Sequence, residues 1–232
     1  LQSNTTGNNN VAVGYDAGAN ITTGGQNTVV GTLALDANTT ANSNVAIGYQ
    51  ALTSNTTGTV NTALGTQALY TNTTASYNTA VGTGALYTST GEKNTAIGYY
   101  ALVNNTSASY NTAVGNGALQ ANTTGATNVA VGHLALNSNT TAGNNTAVGS
   151  GALQLNTTGS VNTAVGYGAL TANTTGLRNT AVGSQAGQSI TTGNYNSAFG
   201  QNALPTATTA SYNTALGDSS LYLTTTGAQN CA

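Results

Sequence analysis

The chain repeats one short motif in register along its whole length. The five residues N-T-A-V-G stand at 78–82 and recur at 111–115, 145–149, 162–166 and 179–183, and close variants fill the intervals. The asparagines that open these blocks follow one another at steps of 17 residues, with a single step of 16. A fixed period is typical of repeat architectures, in which each unit contacts mainly its neighbours. The repeat therefore constrains the fold more than any other feature of the sequence.

The consensus unit reads N-T-A-V-G-x-x-A-L-x-x-N-T-T-G-x-x, and its residues are numbered here as positions one to seventeen. A helical hairpin needs repeats of about 33 residues or more, and Gly, Asn and Thr are weak helix formers. The pattern instead predicts two short extended segments, T-A-V and A-L, on either side of a corner at position five. We predict an all-β fold, a parallel β-solenoid of about thirteen 17-residue coils that forms a single array over residues 1–232. Because the array begins and ends within a repeat, we expect an uncapped segment of a longer protein.

Position five is glycine in all thirteen complete units. A glycine that recurs at one position of a strand pattern marks a sharp corner or a close approach of two backbones. We therefore predict corner glycines at Gly14, Gly31, Gly48, Gly65, Gly82, Gly98, Gly115, Gly132, Gly149, Gly166, Gly183, Gly200 and Gly217.

The single short unit spans residues 78–93 and tests this interpretation. Its strand motif N-T-A-V-G is intact, and the missing residue falls in 88–91, within the polar turn. A turn can absorb a deletion that would shift the register of a strand. The register of the strands should therefore continue past this unit.

Each unit carries both small and bulky apolar positions. Positions three and eight are almost always Ala, position nine is mostly Leu, and position four is always large and apolar. Because side chains alternate along a strand, we expect the Ala rows and the opening Asn row inside, and positions four and nine outside. An exposed apolar stripe requires a partner, most simply copies of the chain around a symmetry axis, which predicts a homotrimeric rod. The alternative places the bulky residues inside a roomier coil and leaves a monomer with a flat face of small residues. The predicted inter-chain apolar rib comprises Val13, Val30, Ile47, Leu64, Val81, Ile97, Val114, Val131, Val148, Val165, Val182, Phe199 and Leu216.

The repeat resembles that of a known family of surface proteins. The stretch N-T-A-V-G-Y-G-A at 162–169 is similar to the S/N-V-A-I-G-x-x-A-x-A-x-G repeat of the YadA-like heads of trimeric autotransporter adhesins, with a longer N-T-T-G turn. Similar longer repeats occur in bacterial and phage proteins described as tail-fibre-like. The resemblance covers the whole chain. It implies a left-handed parallel β-roll, three chains around one axis, and a surface-exposed fibre that adheres.

The composition argues against several other classes of function. Only 3% of the residues are charged, so we expect no nucleic-acid partner, and no apolar run is long enough for membrane insertion. His133 is the only histidine, and Asp16, Asp36, Glu92 and Asp218 stand in separate units. Catalysis requires a base, a nucleophile and a group that orients them. We therefore expect a non-enzymatic protein that needs no cofactor and no metal.

The threonine pair at positions thirteen and fourteen raises a second possibility. Arrays of Thr on a rigid solenoid resemble ice-binding proteins, although adjacent residues should point to opposite sides and give only one outward file. Stabilisation of the turn by short hydroxyl side chains is the simpler interpretation.

The tyrosines at variable positions, such as Tyr49, Tyr99, Tyr100 and Tyr167, suit contact with a carbohydrate or packing between subunits. Cys231 is a lone thiol and supports no disulfide framework.

The N-T-T turn also matches the acceptor sequence for N-glycosylation. In a secreted eukaryotic chain these turns would carry a ladder of glycans, whereas in a bacterial chain they would be turns only. The residues concerned are Asn4, Asn38, Asn55, Asn72, Asn122, Asn139, Asn156 and Asn173.

Together these features predict a structural fibre segment of an extracellular, cell-surface or virion adhesin, which serves adhesion or projection. Its partners would be its own copies, in a homotrimer or filament, and a host surface protein or carbohydrate. Two alternatives remain at this point, an ice-binding or other surface-binding β-solenoid and a self-assembling extracellular filament subunit.

Overall fold

The computed structural model describes residues 1–232 and contains one short β-strand in each repeat and no helix. Every strand comprises positions two to four of its unit, and the thirteen strands are separated by about twelve turns of the repeat. The prediction of an all-β parallel solenoid is therefore confirmed. The strands are β1 (Val11–Val13), β2 (Thr28–Val30), β3 (Val45–Ile47), β4 (Thr62–Leu64), β5 (Thr79–Val81), β6 (Thr95–Ile97), β7 (Thr112–Val114), β8 (Val129–Val131), β9 (Thr146–Val148), β10 (Thr163–Val165), β11 (Thr180–Val182), β12 (Ser197–Phe199) and β13 (Thr214–Leu216).

The chain divides into two compact units, Leu1–Ala113 and Val114–Ala232, and the division falls within β7. In the first unit β1 to β6 pair in chain order, and every pair is parallel. In the second unit β8 to β13 pair in the same way. Each repeat position faces the same position of the neighbouring coil, so identical side chains lie in rows across the strands.

The short unit leaves the strand register intact. Thr79 of β5 pairs with Thr95 of β6, and Ala80 pairs with Ala96, although these residues are 16 and not 17 apart. The deletion is absorbed outside the strands, as the sequence predicts.

The interior of each unit is filled by alanine, leucine and asparagine. In the third coil, Ala46, Ala51 and Leu52 are completely buried, and these represent positions three, eight and nine. The opening Asn is buried in the same way, whereas position four lies at the surface. The placement of the Ala rows, the opening Asn row and position four is as expected. The outward placement of position nine is wrong, because its Leu row belongs to the core.

The backbone at position nine explains this error. Its φ lies between +47° and +59° in every coil, and position seven is also left-handed throughout. Side chains alternate only along an extended chain, so A-L is a turn and the predicted second extended segment does not exist. A left-handed conformation costs a non-glycine residue roughly 1–2 kcal/mol. Full burial of a leucine contributes roughly 1.5–3 kcal/mol, which offsets that cost.

Two coils fill the core in a different way. Gly18 and Gly187 replace the leucine at position nine, and Ile21 and Ile190 replace the asparagine at position twelve of the same coils. Both isoleucines are buried, with 0% and 1% of their surface exposed. A Cβ atom on Gly187 would lie 3.0 Å from Cδ1 of Ile190. The isoleucine therefore occupies the space that leucine fills elsewhere.

This exchange predicts a strong coupling between the two positions. Gly187→Leu alone should destabilise the protein by about 1–3 kcal/mol through overpacking, and Ile190→Asn alone should leave a cavity. The double variant restores the consensus core. Its free energy of unfolding should therefore exceed the value expected from adding the two single losses by at least about 1 kcal/mol. Denaturant unfolding of the four proteins measures this coupling, and simple additivity would contradict the exchange.

The corner glycines stand against the backbone of the next coil. Their φ values lie between +122° and +139°, a region that residues other than glycine rarely adopt. A Cβ atom on Gly65 would lie 2.6 Å from the carbonyl oxygen of Gly82. Both the conformation and the contact therefore require glycine.

Gly65→Ala should consequently destabilise the protein by roughly 3 kcal/mol or more, because neither conflict can be relieved by a side-chain movement. Gly151→Ala is the matched control, since Gly151 has an ordinary left-handed φ of +68° and only the Gln154 amide oxygen nearby, at 3.5 Å. That control should lose about 1 kcal/mol. Equal losses in the two melting temperatures would show that the close approach is unimportant.

Candidate functional site

The outward face of the strands repeats one chemistry from coil to coil. Positions two and four of each strand lie at the surface, while position three between them is buried in every strand after β1. Position two is mostly Thr and position four is always an apolar residue. In each of the two units this face therefore carries a row of hydroxyl-bearing side chains beside a row of apolar side chains.

The predicted apolar rib lies on this face. Leu64 is 42% exposed and Leu216 is 72% exposed, and most of the valines, such as Val148, are partly exposed. Rows in a parallel sheet repeat at about 4.8 Å, so the side chains of neighbouring coils form a continuous stripe within each unit. A contiguous apolar stripe of this kind typically marks an interaction surface.

Two rows of buried asparagine, at positions one and twelve, bond to the polar turn of each coil. Nδ2 of Asn44 donates to the carbonyl oxygen of Gly58 at 3.0 Å, and Nδ2 of Asn55 donates to the same oxygen at 2.9 Å. Oδ1 of Asn44 accepts from the backbone N–H of Asn61, the opening residue of the next coil, at 3.0 Å. Positions one and twelve thus join within a coil and between coils, so these side chains belong to the framework of the fold.

The row at position twelve is interrupted wherever this position is not asparagine, and two of these interruptions leave an amide oxygen unpaired. Oδ1 of Asn72 and Oδ1 of Asn173 are buried without a hydrogen-bond partner. Asn72 does donate to Oδ1 of Asn55 at 2.9 Å, as the pattern requires. In the next coils, however, position twelve holds Ser89 and Ile190, and no amide stands there to donate to these two oxygens.

The same row contains the predicted glycosylation residues. Seven of them, Asn38 and all those from Asn55 to Asn173, are completely buried, and Asn4 is partly exposed. Nδ2 of Asn139, the atom that would carry the glycan, donates to Oδ1 of Asn122 at 2.9 Å and to the carbonyl of Ala142 at 3.0 Å. A glycan would break such bonds and would have no room at the seven buried positions. In the folded chain these Asn-Thr-Thr segments are turns.

The two threonines of the turn have different environments. At position thirteen the hydroxyl of Thr56 donates to the carbonyl oxygen of Thr73 in the next coil at 3.1 Å, and Thr157 donates to Thr174 at 3.0 Å. At position fourteen the side chain is exposed in every coil that has this residue. Only one file of threonine is therefore fully available to solvent.

A row of tyrosines and cations at position seventeen was missed in the sequence, although the repeat numbering would have revealed it. In the first unit, Nζ of Lys93 donates to the hydroxyl of Tyr110 at 3.1 Å, and this bond raises the pKa of the lysine. In the second unit, Arg178 donates to the hydroxyl of Tyr195 at 2.6 Å, and the rings of Tyr195 and Tyr212 stack with centroids 4.9 Å apart. Because the rings of Tyr195 and Tyr212 stack face to face, mainly their edges and hydroxyl groups are exposed to solvent.

The tyrosines named from the sequence do not form one cluster. Tyr49, Tyr99 and Tyr167 stand at position six and are exposed, with Tyr167 reaching 64%. Tyr100 stands at position seven, and its ring covers Gly84 of the preceding coil. The rings of Tyr99 and Tyr100 contact each other, with centroids 4.1 Å apart, and the other two lie in different coils.

The titratable groups are few and lie mostly at the surface. His133 is an exposed residue at position six, and no group of three or more His, Cys, Asp or Glu residues could hold a metal ion. Cys231 is an exposed free thiol. The one perturbed carboxyl group is Asp36, whose pKa is raised mainly by burial and further by the charge of Asp16.

The comparisons with known proteins give no relative. No protein-family model, curated protein or solved structure matches this chain. The structure also contains no helix with the length and apolar character needed to cross a membrane. The class of protein is therefore defined by its own geometry, a parallel β-solenoid with an apolar outward strand face.

The raised pKa of Asp36 predicts a dependence of stability on pH. A carboxyl group whose pKa is higher in the folded than in the unfolded chain favours folding when protonated. This contribution is present below the unfolded value of about 3.9 and is lost as the pH rises through the folded value. Asp36→Asn should therefore flatten the fall in melting temperature above about pH 4 and raise it slightly at neutral pH. Identical melting temperatures of the variant and the parent across this range would contradict the assignment.

Proposed function

We propose that this chain is a non-enzymatic structural segment of an extracellular, cell-surface or virion fibre, and that it associates with copies of itself through the apolar rib. The observation that carries the proposal is the outward position of the fourth-position side chains in both units. The role of such a segment is mechanical, because a stack of hydrogen-bonded coils holds an adhesive surface at a distance from its anchor.

The magnitude of the apolar effect is compatible with an oligomer. A partly exposed Val or Leu gains roughly half of the 1.5–3 kcal/mol of full burial, or about 1 kcal/mol for each rib residue. Association costs roughly 4–15 kcal/mol in lost freedom of motion. Six or seven rib residues in each unit give a gain of the same order as this cost.

A trimer is the arrangement that we favour. The rib of a unit can be covered by two neighbouring chains when three chains surround an axis. The resemblance of the repeat to YadA-like heads supports the same number of chains.

The first test is the mass of the 232-residue chain in solution, measured by light scattering coupled to size exclusion. The expected mass is three times 22.7 kDa and is stable on dilution. Val148→Lys places a charge in the rib and should weaken association by roughly 100-fold or more. Thr141→Lys is the matched control at an exposed turn position and should leave the mass unchanged. A monomeric parent protein would contradict the proposal.

A second candidate function rests on the aligned, exposed threonines of position fourteen, since ordered rows of hydroxyl and methyl groups could bind ice. Thermal hysteresis of the solution measures this activity, and Thr141→Lys combined with Thr158→Lys should abolish it. A parent protein without hysteresis removes this candidate and leaves the fibre proposal unaffected.

A further inference from the structure

The row at position seven contains a gap in the second unit. Position seven is glycine in four coils, at Gly84, Gly117, Gly151 and Gly168. A neighbouring side chain fills two of these places. A Cβ atom on Gly84 would overlap the ring of Tyr100, and one on Gly117 would lie 2.8 Å from Cδ2 of Leu134.

The other two glycines belong to consecutive coils and stay open. A Cβ atom on Gly151 would have only the Gln154 amide oxygen nearby, at 3.5 Å. One on Gly168 would have Oγ1 of Thr171 at 3.3 Å and Cγ of Gln185 at 3.7 Å. Two missing side chains in succession leave a trough about two rows, or roughly 10 Å, long.

This trough is the floor of a cavity of about 240 Å³ within the second unit. Leu134 and Gln185 stand at its two ends, because they are the position-seven residues of the adjoining coils. The exposed side chains of His133 and Tyr167 line it at position six. The volume is slightly below the roughly 300–1,000 Å³ of pockets for drug-sized ligands, so it suits a single small ring.

The floor of the trough is held in place by one hydroxyl group. Oγ1 of Thr171 lies 2.7 Å from the carbonyl oxygen of Gly168 and 3.1 Å from that of Gly151. The hydroxyl thus bridges the two coils that carry the open glycines. The trough is therefore a formed feature of the ground state and needs no rearrangement to open.

The lining combines polar and apolar groups and carries no permanent charge. The amides of Gln154, Gln185 and Gln188 are partly exposed and make no side-chain hydrogen bond within the protein. Each amide offers two donor hydrogens and one acceptor oxygen. Tyr167 adds an aromatic ring that is 64% exposed.

From this lining we infer that the trough binds a neutral carbohydrate ring. The lining holds no Lys or Arg to pair with an anion and no carboxylate to bind a hard metal ion, and His133 is its single histidine. A wholly apolar ligand would cover the three amides without giving them a hydrogen bond, at a cost of roughly 1–3 kcal/mol for each buried group. A sugar offers hydroxyl groups to the amides and C–H groups to the face of Tyr167. The inference rests on the adhesive part of the proposed function and names the class of ligand; self-association is tested separately.

The chain provides its own way to close the trough. Gln50 and Gln67 occupy position seven in consecutive coils of the first unit with φ values of +55° and +56°, and their amides hydrogen-bond at 3.1 Å. The double variant Gly151→Gln/Gly168→Gln should therefore fold normally and fill the trough with the same pair. Tyr167→Ala removes the aromatic face and leaves the trough open.

The experiment is saturation-transfer NMR of the full chain with methyl glycosides of glucose, galactose, mannose and N-acetylglucosamine at millimolar concentration. At least one sugar should receive saturation and compete with the others. The dissociation constant should rise by roughly tenfold or more in Tyr167→Ala and in the double glutamine variant. Asn202→Gln, at position seven outside the trough, is the matched control and should bind as the parent does.

Two results would overturn the inference. One is the absence of transfer to every sugar in the panel, and the other is equal binding by the parent and both trough variants. Light scattering of the same samples keeps this test apart from the proposed oligomer. If the trough variants keep the mass of the parent but lose sugar binding, the result supports the trough as the binding site. If the parent is a monomer and still binds sugar, only the proposed self-association is contradicted.

Discussion

The fold depends on the hydrogen bonds of buried asparagine side chains between coils. An amide in the interior is costly unless its donors and acceptor are satisfied. The opening asparagine donates to a turn carbonyl of its own coil, and its oxygen accepts from the backbone N–H of the opening asparagine in the next coil. A shift of one residue would leave a whole row unpaired. The 17-residue period is therefore imposed by polar groups as much as by apolar packing. The two orphaned oxygens, on Asn72 and Asn173, stand where the next coil breaks the row.

The left-handed residues let so short a coil close around its core. Positions five, seven, nine and seventeen all have positive φ, but only position five requires glycine throughout. There the next backbone is too close for a Cβ atom, whereas at position nine the space is filled by the leucine itself. Conformational strain is thus accepted at position nine, since burial of the side chain offsets it.

The interior positions of the repeat are nearly uniform in sequence, whereas several surface positions vary, so one repeat can carry more than one kind of surface. Positions six, seven, ten and seventeen vary from coil to coil without disturbing the amide rows or the alanines. Substitution at these positions produced a stack of Tyr195 and Tyr212 in one place and an open trough over Gly151 and Gly168 in another. The apolar rib at position four, in contrast, is uniform. Uniformity suits a contact that recurs in every coil, and variation suits a local site.

The sequence by itself determined the all-β class, the period, the glycine corners and the outward position of the rib, because these follow from spacing and from the alternation of an extended strand. Only the tertiary structure decided that Leu52 and its equivalents turn inward and that Asn55 and its equivalents are buried. Both depend on left-handed φ values and on contacts with the next coil, which one unit read alone does not contain. The trough likewise required the structure, since Gly84 and Gly151 stand at the same repeat position and only the contacts show that the ring of Tyr100 covers Gly84.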